Sequence, residues 1–232
     1  MKLKIFNICF VLTLFGCIQD VEYKITKIQD KTIEVSEEED SLINAIILPY
    51  KDSIETEMNE VLTYTNTILN KGKPEGTLGN FVTDLCLNYA NADICIMNNG
   101  GLRTSIHIGE ITRGKIYELM PFENELVVLK LNKKDFNEMI QHIIEKGGEP
   151  FSGFKLKVNN EKTEIVTPFS FKEKEYIKVL TSDYLANKKE FFKGKKQEKT
   201  GLKLRDVIID YCSKKDTIDI KLDNRFTIKN EK

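Results

Sequence analysis

The stretch Asn98-Asn99-Gly100-Gly101-Leu102-Arg103 holds residue types with which a chain can grip a polar ligand. Asn and Gly tolerate positive φ, and a glycine pair lets the backbone approach a ligand closely. Arg103 follows at once. Its guanidinium offers a planar fork of donors that fits phosphate or carboxylate. The chain has four arginines against thirty-one lysines, so an arginine set on a glycine turn stands out from the general positive charge. Further along, Met120-Pro121-Phe122 adds an aromatic ring behind a proline.

These residues need elements to hold them. The apolar run Ala92 to Met97 leads straight into the turn, and Ile94, Cys95, Ile96 and Met97 leave no polar side. Such a run predicts a strand buried on both faces. Leu78, Phe81, Val82, Leu85 and Tyr89 recur at helical spacing from near Thr77. Glu125 to Leu131 predicts a strand. Asn132 then caps a helix carrying Phe136, Met139, Ile140, Ile143 and Ile144, which Gly147-Gly148 ends. Phe154 to Val158 and Tyr176 to Leu180 predict strands, Leu204 to Tyr211 a helix, and Asp223 to Ile228 a last strand. Upstream, Leu42, Ile46, Ile47, Tyr50, Ile54 and Met58 follow a helix start at Ser36 to Ser41, with Pro49 expected to kink or interrupt it. Helices and strands mix without strict alternation. The fold class is therefore α+β, a single domain of mixed sheets with packed helices.

Several motifs come in a fixed order. They are Glu75-Gly76-Thr77-Leu78-Gly79-Asn80-Phe81-Val82-Thr83-Asp84, the Asn98 to Arg103 turn, Gly109-Glu110-Ile111-Thr112 and Met120-Pro121-Phe122-Glu123-Asn124. Thr181-Ser182-Asp183-Tyr184-Leu185-Ala186-Asn187 and Gly201-Leu202-Lys203-Leu204-Arg205-Asp206 follow. The set resembles the C-terminal, substrate-recognition domain of the 5′-nucleotidase family over roughly residues 40 to 228. The resemblance implies a substrate-binding role for Asn98, Gly100, Gly101, Arg103, Phe122 and Phe192. Asn98 matches a base-contacting asparagine, whose amide offers both donor and acceptor to a base edge. Arg103 matches a phosphate-facing arginine, and Phe122 and Phe192 the two rings that sandwich the base. The second ring sits in a changed setting. The family's Gly-Gly-Asp-Gly before it reads Lys188-Lys189-Glu190-Phe191 here. Asn80 and Asp84 match positions expected to bond neighbouring loop backbone. The lysines from Lys188 to Lys199 are expected to form a solvated loop.

The family's catalytic domain holds two metals with histidines, aspartates and an asparagine, and it normally precedes this domain. This chain has only His107 and His142, in unrelated contexts, and no Cys-x-x-Cys. No Gly-x-Ser-x-Gly elbow, phosphate-binding loop or dinucleotide fingerprint occurs either. No metal or other cofactor is expected in this chain, and no catalytic residue. The resemblance implies divalent metals in a separate metallophosphatase chain, with a nucleoside monophosphate or nucleoside as ligand here.

Length and composition fit this reading. The 232 residues are 41% hydrophobic, enough to bury a core, and a net charge of −1 argues against a nucleic-acid binder. Lys2 and Lys4 precede an apolar run, Ile5 to Phe15, too short to span a bilayer. Leu14-Phe15-Gly16-Cys17 looks like a bacterial lipobox, which makes Cys17 the lipidated N-terminus. An ordinary secretory signal is the alternative. The expected organisation is a signal peptide over 1–16, a tether over 17–39 with a short hairpin within Val21 to Val35, and the domain over 40–232. The expected location is the bacterial cell envelope, exported and membrane-anchored through lipid. Cys86 and Cys95 read as small core hydrophobes. The function these features imply is nucleotide recognition for a 5′-nucleotidase-type hydrolase in nucleotide catabolism. A non-enzymatic nucleotide- or nucleoside-binding lipoprotein and a degenerate interaction domain are the alternatives.

Overall fold

The computed structural model describes residues 41–159 and 163–229. The expected signal peptide, the lipobox ending at Cys17, the tether with its hairpin, and the acidic helix start through Asp40 lie outside the described residues. The chain divides into two units, residues 1–44 and 45–232. Of the first, the described part is residues 41–44, which open helix α1 (Ser41–Met58). The helix runs unbroken past Pro49, so the expected interruption is absent. None of its residues is buried. The carbonyl that Pro49 cannot serve is therefore within reach of water, which softens the usual cost.

The second unit is a single α+β domain. Its strands are β1 (Val61–Thr65), β2 (Ile94–Ile96), β3 (Gly109–Thr112), β4 (Glu125–Leu131), β5 (Phe151–Ser152), β6 (Lys155–Asn159), β7 (Thr163–Val166), β8 (Ile177–Ser182), β9 (Glu198–Lys203), β10 (Thr217–Ile218) and β11 (Phe226–Lys229). Its further helices are α2 (Thr77–Leu87), α3 (Arg113–Leu119), α4 (Lys133–Glu145), α5 (Asp183–Lys188) and α6 (Leu204–Ser213). The central sheet has the order β5-β2-β8-β4-β9. In it β2 runs parallel to β8, and β4 pairs antiparallel with both β8 and β9. Two three-stranded sheets, β10-β1-β3 and β11-β6-β7, are built from strands that interleave with it along the chain.

The central sheet is covered on both faces. Along β4, Leu126 and Val128 join the cluster of Phe81, Leu85, Ile116 and Val207 from α2, α3 and α6. Val127, Leu129 and Leu131 point the other way, to Phe136, Met139 and Ile140 of α4 and Leu185 of α5. The same alternation splits β2, with Cys95 on one side and Ile94 and Ile96 on the other. This is why Ala92 to Met97 shows no polar face: both sides of the strand pay in apolar burial. Asn132 caps α4 by accepting from the Asp135 N–H at 3.0 Å. Gly147 and Gly148, at φ +66° and +123°, end it as expected.

Asn80 and Asp84 bond side chains rather than loop backbone. The Asn80 amide donates to Glu75 at 2.6 Å. Both terminal nitrogens of Arg225 donate to the Asp84 carboxylate at 2.8 Å, and the Arg225 Nε donates to Asp223 at 2.9 Å. The pairing joins α2 to the start of β11, a long-range contact that local sequence could not announce.

Candidate functional site

The end of β2 delivers Asn98 in an extended conformation, φ −97° and ψ 134°, and Asn99–Gly101 then form a 3₁₀ turn. The turn is clamped from outside. The Asn99 N–H donates to Glu149 Oε2 at 2.6 Å, and the Met97 N–H donates to the Pro150 carbonyl at 2.9 Å. Neither Gly100 nor Gly101 has positive φ, so their tolerance of left-handed backbone is not what the turn uses. They supply space. A Cβ on Gly101 would lie 3.2 Å from Asn98 Oδ1 and 3.4 Å from its Nδ2. Both glycines leave room for the Asn98 amide, which makes no side-chain cap bond to the turn.

Asn98, Gly100, Gly101, Arg103 and Phe122 line one cleft of about 350 Å³, together with Asn124 and Tyr184. That is within the roughly 300–1,000 Å³ usual for small-ligand sites. Arg103 is exposed. Its backbone N–H donates to the Leu119 carbonyl at 2.9 Å, and its Nη1 donates to the Gly100 carbonyl at 3.2 Å. Among the described residues no carboxylate pairs with it, so the guanidinium charge is open to a ligand anion. Phe122 lies between α3 and β4 and is 42% exposed. A large ring left that open on a cleft wall can stack on a planar ligand.

Phe192 is not in this cleft. It is 1% exposed and packs with Phe191, ring centroids 4.6 Å apart, in the core cluster that includes α4. The cause is local. Glu190–Phe192 form a 3₁₀ turn where glycines would have allowed a tighter bend. Burying two phenylalanines, at roughly 1.5–3 kcal/mol each, then favours the core. Tyr184 instead lines the cleft with Phe122 and is 49% exposed. It was missed because it belongs to a motif without a ligand role. The signal was its helical phase: Leu185 and Ala186 of α5 are buried, which turns Tyr184 outward. Asn124 also lines the cleft, two residues after Phe122 in the same motif, where only the ring was singled out.

The remaining candidates fall elsewhere. His107 is exposed in a loop, and His142 on α4 sits 5.6 Å from the Phe191 ring. Burial, then the charges of Lys189 and Lys146, hold the His142 pKa below its ordinary value. Among the described residues no three His, Cys, Asp or Glu side chains group as a metal site. Cys86, Cys95 and Cys212 are buried and free. The stretch from Lys188 to Lys199 is not wholly the solvated loop expected: it ends α5, buries Phe191 and Phe192 and begins β9, and Lys193 pairs with Glu190, Lys195 with Asp135 and Lys199 with Glu125. No described helix is long and apolar enough to cross a membrane.

A model of the 5′-nucleotidase, C-terminal domain, matches residues 55–197. The chain is 35% identical over 114 residues to the trifunctional nucleotide phosphoesterase protein YfkN of Bacillus subtilis, a match covering 44% of this chain and 8% of that protein. It is 27% identical over 155 residues to the 5′-nucleotidase of Vibrio vulnificus, covering 60% of this chain and 27% of that one. A solved 5′-nucleotidase precursor from Thermus thermophilus shares the fold, with a TM-score of 0.69 at 23% identity over 82% of this chain and 44% of its own. The chain thus spans less than half the length of each of these proteins. The matched residues include the whole cleft and, of the central sheet, β2, β4, β5 and β8. By sequence and by fold, the chain belongs to the 5′-nucleotidase C-terminal domain family.

Proposed function

We propose that the chain is the nucleotide-recognition component of a 5′-nucleotidase-type phosphoric monoester hydrolase and acts in nucleotide catabolism with a separate dimetal catalytic chain. One observation carries the proposal: the Asn98–Arg103 turn, Phe122 and Tyr184, distant in sequence from one another, converge on one cleft of nucleoside size. In this reading the base stacks on Phe122, with Tyr184 as the other aromatic wall. The amides of Asn98 and Asn124 meet its edge, and Arg103 takes the phosphate charge. The residues present do not fit a pair of metals. His107 and His142 lie in unrelated settings, and no described acidic cluster joins them. No hydrolytic step is therefore assigned to this chain, and the metals belong to the partner.

Calorimetric titration with adenosine and its monophosphate tests the proposal. Phe122→Ala should weaken both ligands about tenfold, because stacking is worth roughly 1–3 kcal/mol and ~1.4 kcal/mol is one decade. Arg103→Ala should weaken only the monophosphate, and less so in high salt. Equal losses for both ligands at Arg103 would make the arginine structural. The burial of Phe192 favours a second reading, a degenerate domain kept for protein interaction. It moves ahead if the native chain binds neither ligand.

The proposal extends to location. Lys2, Lys4, the run Ile5 to Phe15 and the Leu14-Phe15-Gly16-Cys17 motif support export and anchoring by lipid on Cys17. Stable anchoring takes more than one acyl chain. Cys17→Ser should move the protein from the membrane fraction to the soluble one, and an unmodified N-terminus by intact mass would contradict the anchor.

A further inference from the structure

Phe122 sits on the segment Met120 to Asn124, and α6 grips that segment on both sides of the ring. Arg205, the second residue of α6, is 7% exposed. Its Nη1 donates to the Met120 carbonyl at 3.4 Å, and its Nη2 pairs with the Glu123 carboxylate. The guanidinium carbon lies 4.2 Å from the centre of the Tyr117 ring, in the last turns of α3. The neighbouring Leu204 N–H donates to the Asn124 carbonyl at 2.9 Å, and Lys203 also pairs with Glu123. The residues held are Met120, Glu123 and Asn124. Phe122, between them, is left 42% exposed on the cleft. Such an exposed ring has little packing of its own to fix it, so its place depends on its backbone.

We infer that Arg205 is a positioning residue for the cleft: it touches no ligand but sets where Phe122 stands by bridging α3, the Met120 carbonyl and Glu123. A planar fork over an aromatic face is suited to this, since it can satisfy a carbonyl, a carboxylate and a ring at once. A lysine, with one point charge, cannot hold all three. Arg205 Nε is buried without a hydrogen-bond partner, and the two terminal nitrogens make the contacts to Met120 and Glu123. Its placement serves the segment it grips. Leu119, the residue just before this segment, accepts from the Arg103 N–H, so the grip lies close behind two cleft residues. The consequence for binding rests on the nucleotide-recognition reading; the consequence for Phe122 does not.

The chain has no tryptophan, so Phe122→Trp places a single tryptophan at the cleft wall, excited selectively at the red edge where tyrosine does not absorb. In the ligand-free full chain, adding Arg205→Met should lower the anisotropy of that tryptophan and raise its quenching by acrylamide. Arg205→Lys should restore part of both. Glu123→Gln, at a half-exposed side chain where the amide keeps the shape and loses the charge, should move them in the same direction and covers the case in which Arg205→Met fails to fold. In the native background, Arg205→Met should weaken adenosine by no more than the about tenfold expected for losing the ring itself. In a Phe122→Ala background it should cause no further loss. Unchanged tryptophan signals in both variants would overturn the inference, as would an equal loss of affinity with Phe122 already removed. If the native chain fails to bind adenosine, the nucleotide reading falls, and the tryptophan signals still decide the role of Arg205.

Discussion

Gly101→Ala separates stability from recognition at the cleft. Gly101 does not have positive φ, so alanine can adopt its backbone conformation. Replacing glycine at a compatible position lowers unfolded-state entropy and stabilises by about 0.4–1 kcal/mol. The new Cβ, however, meets the Asn98 amide at 3.2 Å from Oδ1, 3.4 Å from Nδ2 and 3.5 Å from Cγ. That is tighter than ordinary contact, so the amide must shift by a few tenths of an ångström or rotate. Rotation costs the fold little, because the amide caps no neighbouring group of the turn. The base would lose a donor and an acceptor, each worth about 0.5–1.5 kcal/mol, or about 1–3 kcal/mol together. At ~1.4 kcal/mol per decade, affinity should fall between about fivefold and about a hundredfold. The loss should be the same for adenosine and its monophosphate, since the phosphate is not involved. Gly100→Ala is the control: its Cβ would approach Asn98 Nδ2 only to 3.5 Å, an ordinary contact. Thermal melts and calorimetry on the two variants give both quantities. Native affinity in Gly101→Ala, with the fold intact, would refute the claim that the glycine keeps Asn98 placed for the base.

Two further expectations concern the scaffold. Arg225→Met removes a 9% exposed side chain that bridges Asp84 and Asp223 and donates to the Phe151 carbonyl at 3.0 Å. Breaking a fully buried pair costs about 3–5 kcal/mol, but both carboxylates are about half exposed and can rehydrate, so about 2–3 kcal/mol is expected by urea unfolding. Burial pushes the Asp223 pKa up, but Arg225 outweighs it and holds the carboxyl below its ordinary value. That contribution is present above pH ~4 and lost as pH falls through the lowered pKa, so the cost of Arg225→Met should shrink in acid. His142 has a folded pKa held down by burial, and its Nε2 is buried without a partner. The unfolded state then takes up protons first, and stability should fall as pH drops below ~6.5. His142→Gln should flatten that slope between pH 7 and 5.5, and a slope unchanged by the substitution would mean another group causes it.

Much of the scaffold was legible in the sequence because its signals are local. The spacing of Leu78, Phe81, Val82 and Leu85, the cap at Asn132 and the stop at Gly147-Gly148 each depend on residues within a few positions. The two-faced burial of Ile94 to Ile96 was legible too, since a strand covered on both sides has no polar alternation to show. The order of the motifs was enough to point to the family. Short, partly exposed pieces such as β1, β3, β7 and β10 left no such pattern, and α3 and α5 are only seven and six residues long.

Tertiary structure decided which aromatic rings face the cleft. Phe122 and Phe192 are chemically alike, and nothing local distinguishes a ring on a binding wall from a ring in the core. Phe122 stays half open because α6 holds its segment at Met120, Glu123 and Asn124. Phe192 turns inward because α4 and Phe191 offer it a buried place, and Tyr184 stands on the cleft because its helical neighbours fill the core. Arg225 meeting Asp84 and Arg205 meeting Glu123 are pairings across long stretches of chain. A sequence fixes what each side chain can do within its own few neighbours. Which surface it finally faces depends on what the rest of the chain brings against it.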